Sequence, residues 1–240
     1  MAKAVKNGLI EKNYATADYI DFPKAVKHKI DVMNEEEIKK FYLTLININN
    51  ICMKTALMNS LLAGFRRREV AGLRWDDIDF INNRMTISRS IRHSSEQGLF
   101  VKDPKTISSN RTITISKILI NQLKEYKEYQ DKIKTEKGEQ YNPLNYVFTN
   151  SVGDVIRLDI FEKWILKAIE MAGISKHTLH SLRHTNITLQ IAAGIPIVTV
   201  SSRAGHSKTS TTTDIYAYSL LEPDINAAIA VDEYFKKISE

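Results

Sequence analysis

The sequence contains a single cysteine, Cys52, among its 240 residues. One thiol cannot form a disulfide within the chain, and it excludes a zinc site built from several cysteines. Long hydrophobic stretches are also missing, since no apolar run approaches the ~20 residues that cross a bilayer as a helix. The first residues lack the apolar core of a secretory signal. These absences lead us to expect a cytoplasmic protein.

The chain also lacks internal repeats, low-complexity segments and a glycine- or serine-rich linker. Its composition, 43% hydrophobic and 26% charged residues, is that of an ordinary globular protein. This is enough apolar material to bury a core without help from metals or disulfides. We therefore predict one main domain, residues 32–218, with a linker-like segment, residues 1–31, before it and a tail, residues 219–240, after it.

Positive charge is concentrated in two separate stretches. The formal charge of the chain is +6 at pH 7, and residues 66–111 and 175–218 contribute +4 and +3 to it. Two basic segments far apart in sequence are typical of a phosphate-binding pocket that folding assembles from distant parts of a chain. On charge alone, a scatter of surface lysines stays open as the alternative.

Hydrophobic periodicity predicts a mainly helical α+β fold. Capping residues and apolar residues at helical spacing predict helices at residues 34–47, 51–63, 66–73, 116–137, 159–172, 178–193, 196–204 and 209–218. Alternating β-branched residues predict strands at residues 85–91, 99–101 and 111–115, which would form a small antiparallel three-stranded sheet. A last helix, residues 223–238, has an apolar stripe.

The segment from Thr178 to Thr185 is the most informative part of the sequence. On a helix, His180, Arg183 and His184 share one face, so a guanidinium and two imidazoles would meet there. Such a group suits an anion. Two other interpretations stay open. The histidines at i, i+4 could bind zinc, although the glutamate of an HExxH motif is missing, and His184 could instead be a buried, hydrogen-bonded core residue.

Three further short motifs accompany this segment. They are Ala63-Gly64-Phe65-Arg66, the stretch from Pro104 to Arg111 that contains Lys105-Thr106, and Arg203-Ala204-Gly205-His206. Each motif alone is short enough to arise by chance. All of them in this order and at these spacings make chance a poor explanation.

Together the motifs resemble the catalytic domain of the tyrosine recombinases, also called phage integrases. The family pattern is Gly-x-Arg, then Lys-Thr in a β-hairpin followed by Ser and Arg, His-x-x-Arg-His-Thr, Gly-His, and a tyrosine ten residues later. The resemblance covers roughly residues 4–235. Ala63, Asn186 and Ala204 depart from the usual threonine, aromatic residue and leucine, and we expect these changes to alter packing rather than chemistry.

The resemblance implies the tyrosine-recombinase catalytic-domain fold and a site-specific recombinase, which cleaves and rejoins DNA through a 3′-phosphotyrosyl intermediate. Such an enzyme integrates or excises a phage or conjugative transposon and needs no metal or other cofactor. The implied catalytic residues are Arg66, Lys105, His180, Arg183, His206 and Tyr216. The arginines would bind phosphate, Lys105 would protonate the leaving oxygen and Tyr216 would be the nucleophile. We expect Glu69 to orient Arg66 or the pair of histidines rather than act as a catalytic acid.

The implied partners are double-stranded DNA at specific recombination sites, further copies of the chain in a tetramer on that DNA, and accessory DNA-bending or excision proteins. No membrane partner is expected. Residues 1–31 would then be a linker and the remnant of a core-binding domain, and the chain a fragment of a longer integrase. The tail, residues 219–240, could pack on its own domain or be exchanged between protomers.

Two other functions are compatible with the same fold. One is relaxation of DNA without sequence choice, as in type IB topoisomerases, and the other is DNA binding without catalysis. The pair of histidines and the Gly-His motif favour a recombinase over a topoisomerase, and the complete set of six residues argues against an inactive relative. Tyr218 is a rival nucleophile, but it lies twelve residues after His206 instead of ten.

Overall fold

A computed structural model describes residues 1–16, 30–94, 98–102 and 110–216. The helices in these ranges are α1 Ala2–Lys6, α2 Glu35–Ile46, α3 Ile51–Leu62, α4 Arg67–Gly72, α5 Lys117–Lys137, α6 Leu158–Ala172, α7 Leu179–Ala192, α8 Ile197–Ala204 and α9 Thr209–Tyr216. The strands are β1 Ile78–Asp79, β2 Arg84–Ile87, β3 Ser90–Ser94, β4 Gly98–Lys102 and β5 Arg111–Thr114, and a 3₁₀ turn spans Trp75–Asp77. The helix predicted at residues 223–238 lies outside the described residues.

Helix α3 lies at the centre of the core. Eight of its 12 residues are buried, and it packs against α2, α4, α5, α6 and α7. A helix that is apolar on nearly all sides is stable only when other elements surround it. Asn50 fixes the start of α3, because its side chain accepts a hydrogen bond from the amide of Met53. The rigid C-terminal end of α3 then leads directly into the candidate site.

The predicted helices that fall on described residues, α2 to α9, are confirmed with small shifts at their ends, whereas α1 was not predicted. The predicted capping box is present at α2, where Asn34 and Glu37 each accept a hydrogen bond from the other's backbone amide. Helix α4 starts one residue later than predicted, because Arg66 has an extended backbone and is the N-cap residue. Helix α9 extends to Tyr216, and its predicted end at residue 218 lies outside the described residues.

A three-stranded antiparallel sheet is present, but the prediction of which strands form it is wrong. The three-stranded antiparallel sheet has the order β1-β2-β5, and the predicted strand at residues 99–101 belongs to a separate hairpin of β3 and β4. The predicted strand at residues 85–91 is interrupted between β2 and β3. At this break Ser88 and Arg89 both bind the carboxylate of Asp77. Alternation along the sequence could not indicate a break that depends on a residue in another segment.

A second, smaller core attaches α8 to α7. It contains Ile187 and Ile191 of α7 and Val200 and Ala204 of α8, all at most 8% exposed. This contact fixes the position of the turn that follows α8. In the ranges that the structure describes, no helix combines the length and the hydropathy needed to cross a membrane.

Candidate active site

Helix α7 positions the first group of candidate residues. Thr178 caps its N-terminus by accepting a hydrogen bond from the amide of Ser181 at 3.2 Å. In the next turn lies Arg183, which is only 1% exposed. Its Nη1 donates to the carbonyl of Gly64 at 2.7 Å, and its Nη2 donates to the carbonyl of Ala204 at 2.6 Å. Arg183 therefore joins three segments that are distant in sequence.

Arg66 reaches the same region from the start of α4. Its backbone N–H donates to Oε2 of Glu69 at 3.0 Å, and its Nη1 donates to Oε1 at 2.9 Å. Its Nη2 donates to the carbonyl of Gly205 at 3.0 Å. The Arg66 side chain is 37% exposed. Arg66 is thus the more exposed of the two arginines, and Arg183 is the buried one.

The turn after α8 brings the two arginines together. Gly205 ends α8 with a φ of +68°, a conformation that glycine adopts without strain. A Cβ at this position would lie 2.7 Å from Nη1 of Arg111, so a larger residue would force Arg111 to move. Because Ala204 and Gly205 are consecutive, the guanidinium groups bound to their carbonyls lie close together. His206 follows directly.

Helix α9 fixes the ring of His206. Its Nδ1 shares a hydrogen bond of 2.8 Å with Oγ1 of Thr212, and Thr212 is fully buried. Thr212 lies one turn before Tyr216 on α9, which packs against α7 and α8. The bond leaves Nε2 of His206 as the ring nitrogen that can meet a second partner.

Positive charge dominates the site. Burial by itself raises the pKa of Glu69, but the hydrogen bonds and charge of Arg111, followed by the charge of Arg66, outweigh it and hold the pKa at about 2. Burial, followed by the charge of Arg66, lowers the pKa of Arg183 to about 9, so Arg183 stays charged at neutral pH. Three guanidinium groups around one carboxylate leave two positive charges in excess. This arrangement suits a phosphate group.

The pKa values of both candidate histidines are lowered. Burial first, and then the charges of Arg183 and Arg66, lower the pKa of His206 to about 4. The same causes in the same order lower the pKa of His180. A neutral imidazole has one donor and one acceptor nitrogen. Each ring can therefore donate a hydrogen bond to a phosphate oxygen or accept a proton.

His184 lies beside His180, with ring centroids 4.5 Å apart in an edge-to-face arrangement. Burial and then the charge of His180 lower its pKa to about 4, against the effect of a hydrogen bond with the backbone of Asp31. The interpretation of His184 as a core residue required a hydrogen bond and full burial. The hydrogen bond is present, but the residue is only half-buried. In the described part of the chain, no three His, Cys, Asp or Glu side chains are grouped so that they could hold a metal ion.

The structure brings four of the six candidates together, namely Arg66, His180, Arg183 and His206. Lys105 lies outside the described residues. Tyr216 is the last residue of α9, and only its backbone position is described. The catalytic roles of all six stay predictions.

The sequence did not indicate the supporting roles of three residues. Arg111 was noticed only as part of the family pattern, and no pattern pointed to Thr212. Asn186 was noticed only as a departure from the family pattern. Its Nδ2 donates to the carbonyls of Leu61 and Leu62 at 2.9 and 3.1 Å, which attaches the end of α3 to α7.

A further unpredicted cluster attaches the segment before α2 to the start of α7. His177 is 3% exposed, with Nδ1 2.8 Å from Oδ1 of Asp31 and Nε2 3.1 Å from Oγ of Ser175. Ser181 also donates to Asp31. Asp31 is 146 residues from His177 in the sequence, so no local pattern could have indicated this contact.

Comparisons with known proteins agree with these motifs. Residues 31–222 match the model of the phage integrase family. The chain is 31% identical to a XerC-like tyrosine recombinase of Caldanaerobacter subterraneus subsp. tengcongensis, over 97% of this chain and 62% of that protein. It is 29% identical to the ICEBs1 integrase of Bacillus subtilis, over 90% of this chain and 57% of that protein. The chain therefore spans less than two thirds of the length of these relatives.

The fold is shared with a solved structure of the Tn1549 transposon integrase in complex with a circular intermediate DNA. The TM-score is 0.73 at 18% identity, over 96% of this chain and 75% of that chain. This similarity confirms the predicted fold, a mainly helical tyrosine-recombinase catalytic domain with a small antiparallel sheet. With the family model matched over residues 31–222, the chain belongs to the phage integrase family.

Proposed function

We propose that this chain is the catalytic part of a site-specific DNA recombinase, an integrase that integrates or excises a phage or conjugative element. The observation that supports this most directly is the convergence of Arg66 and Arg183 on the consecutive carbonyls of Ala204 and Gly205, beside His206. A phosphodiester is an anion, and its negative charge is redistributed when phosphorus is attacked. Two fixed guanidinium groups are well suited to stabilise that charge.

The proposed reaction starts with attack of the Tyr216 oxygen on phosphorus. The bond from phosphorus to the 5′-oxygen breaks, and the 3′ end of the cut strand becomes attached to the tyrosine. The phenol has an ordinary pKa of ~10 and must lose its proton, which a neutral imidazole can accept. Lys105, as the family resemblance implies, gives a proton to the leaving 5′-oxygen. The phosphotyrosyl bond conserves the free energy of the phosphodiester, so rejoining needs no ATP.

The other site residues have distinct proposed roles. His180 moves a proton or donates to a phosphate oxygen, and Nε2 of His206 donates to a second oxygen. Glu69 orients Arg66, because its two carboxylate oxygens accept hydrogen bonds from the backbone and the guanidinium of that arginine. A carboxylate held by two arginines at a pKa of about 2 is a poor acid at neutral pH. This supports an orienting role.

The wider organisation is proposed on the same basis. Residues 32–218 form the catalytic domain, residues 1–31 are a linker and the remnant of a core-binding domain, and residues 219–240 are a tail that neighbouring protomers exchange. We propose a tetramer on double-stranded DNA in the cytoplasm, with accessory DNA-bending or excision proteins as further partners. Specific DNA binding then requires the part of the longer protein that clamps the duplex.

Covalent capture of DNA tests the function. Duplexes made from the DNA that flanks the gene are nicked next to each candidate cleavage position, so that the cut fragment diffuses away and traps the intermediate. We expect the full-length protein to become attached to one of these duplexes, and Tyr216→Phe to abolish attachment. The matched control is Tyr218→Phe, which removes the rival hydroxyl two residues away and is expected to leave attachment intact.

Three outcomes separate this proposal from its alternatives. Attachment that persists in Tyr216→Phe but is lost in Tyr218→Phe would show that the nucleophile is Tyr218 and not Tyr216. Attachment to unrelated duplexes at an equal rate would favour a topoisomerase-like activity. Binding of the flanking DNA without any attachment would favour a DNA-binding protein that lacks catalysis.

A further inference from the structure

Arg111, the first residue of β5, is a buried cation to which the proposed reaction gives no role. Its side chain is 7% exposed, and its guanidinium faces the Phe65 ring at 5.8 Å. A buried guanidinium requires partners for its N–H groups, because desolvation without hydrogen bonds is costly. The identity of those partners indicates what Arg111 does.

One side of the guanidinium holds Glu69. Nη1 donates to Oε1 at 3.2 Å and Nη2 donates to Oε2 at 3.0 Å, so both carboxylate oxygens are engaged. The same two oxygens accept the hydrogen bonds from Arg66. Glu69 therefore cannot rotate without breaking bonds to both arginines. The more exposed Arg66 is oriented by a carboxylate that Arg111 fixes.

The other side of the guanidinium holds the end of α8. Nε donates to the carbonyl of Arg203 at 2.6 Å. The next two carbonyls, those of Ala204 and Gly205, accept hydrogen bonds from Arg183 and Arg66. One planar group thus sets the distance between Glu69 and the turn that leads into the candidate histidine. Lysine could replace the charge of Arg111 but not this fork of donors in fixed directions.

We propose that Arg111 is a positioning residue for DNA cleavage, which holds Glu69 and the turn at residues 203–205 in register so that Arg66 and His206 face the same phosphate. The proposal rests on the proposed recombinase function. Arg111 acts through Glu69 and the backbone of the turn, and it does not itself contact the DNA. Its loss therefore affects the cleavage step and leaves DNA binding nearly unchanged.

The test is single-turnover cleavage of the nicked flanking duplexes by the full-length protein, measured at increasing DNA concentration. For Arg111→Ala we expect the maximal rate constant to fall at least ~10-fold, as for other small displacements of reacting groups, with a half-saturating DNA concentration within ~3-fold of wild type. Arg111→Lys keeps the positive charge and is expected to recover little of the rate. Arg89→Ala is the matched control, since it removes the ion pair with Asp77 outside the site.

A pH profile, restricted to the pH range in which each variant remains folded, adds a readout that lost stability alone would not change. Without Arg111, Glu69 loses the partner that contributes most to its low pKa, and its protonation moves to higher pH. We therefore expect the acid limb of the cleavage profile to lie at higher pH in Arg111→Lys and Arg111→Ala than in wild type. The lysine variant provides the decisive profile if the alanine variant does not fold.

Two results would overturn the inference. One is a wild-type rate constant and acid limb in Arg111→Lys, and the other is a rate loss matched by an equal rise in the half-saturating DNA concentration. Both results are interpreted by comparison with the wild-type protein, which must itself attach to DNA through Tyr216. Absence of attachment in the wild type would instead overturn the proposed function.

Discussion

Replacing Glu69 with glutamine is expected to destabilise the protein at neutral pH and to remove a specific part of its pH dependence. The substitution keeps the shape of the side chain but leaves Arg66, Arg111 and the deeply buried Arg183 without their shared anion. Breaking a buried ion pair by removing one partner costs about 3 to 5 kcal/mol. Holding the pKa of Glu69 at about 2, instead of its ordinary 4.5, corresponds to roughly 3 kcal/mol. The two values agree.

The sign of the pH dependence follows from the direction of the shift. A carboxylate whose pKa is lowered by folding stabilises the folded state fully above its unfolded pKa, and this contribution disappears as the pH falls through the folded value. The stability difference between wild type and Glu69→Gln should therefore be largest at pH 7 and shrink between about pH 5 and pH 2.

Urea unfolding at a series of pH values measures this difference. Glu162→Gln is the matched control, because its partner Arg67 forms a partly exposed ion pair worth at most about 1 kcal/mol. Equal unfolding free energies of wild type and Glu69→Gln at pH 7 would refute the reasoning. So would a difference that stays constant as the pH is lowered.

Three further substitutions test how the site is supported. Gly205→Ala places a Cβ against Arg111 and adds about 1 to 2 kcal/mol of left-handed strain, so both the melting temperature and the DNA cleavage rate should fall. Thr212→Val leaves Nδ1 of His206 without its partner and should slow cleavage, whereas the same change at its exposed neighbour, Thr213→Val, should not; equal rates in the two variants would contradict this. Asn186→Ala should lower the unfolding free energy by about 1 to 3 kcal/mol in urea, because carbonyls at the end of α3 lose their donor, and an unchanged value would count against that role.

The success of the helix predictions has a local cause. Asn34 with Glu37, Asn50 and Thr178 cap their helices through residues at most three positions away, so the sequence contains both partners of each interaction. The sheet shows the opposite case. Residues 85–91 alternate as a strand should, yet Arg89 turns to Asp77 and the chain divides into β2 and β3. Strand pairing depends on contacts between segments, and the residue pattern within one segment carries no information about those contacts.

By itself the sequence determined the helices α2 to α9, the family and the identity of the candidate site residues, because capping and motif spacing are properties of neighbouring positions. The tertiary structure alone decided how these residues are held. It buries Arg183, leaves Arg66 partly exposed, joins both to the turn before His206, and pairs Glu69 with Arg111 as well as Arg66. Arg111 and Glu69 are 42 residues apart, and Arg183 and Gly64 are 119 apart. Only folding brings such groups within hydrogen-bonding distance, and the arginines then keep Glu69 ionised although burial alone would raise its pKa.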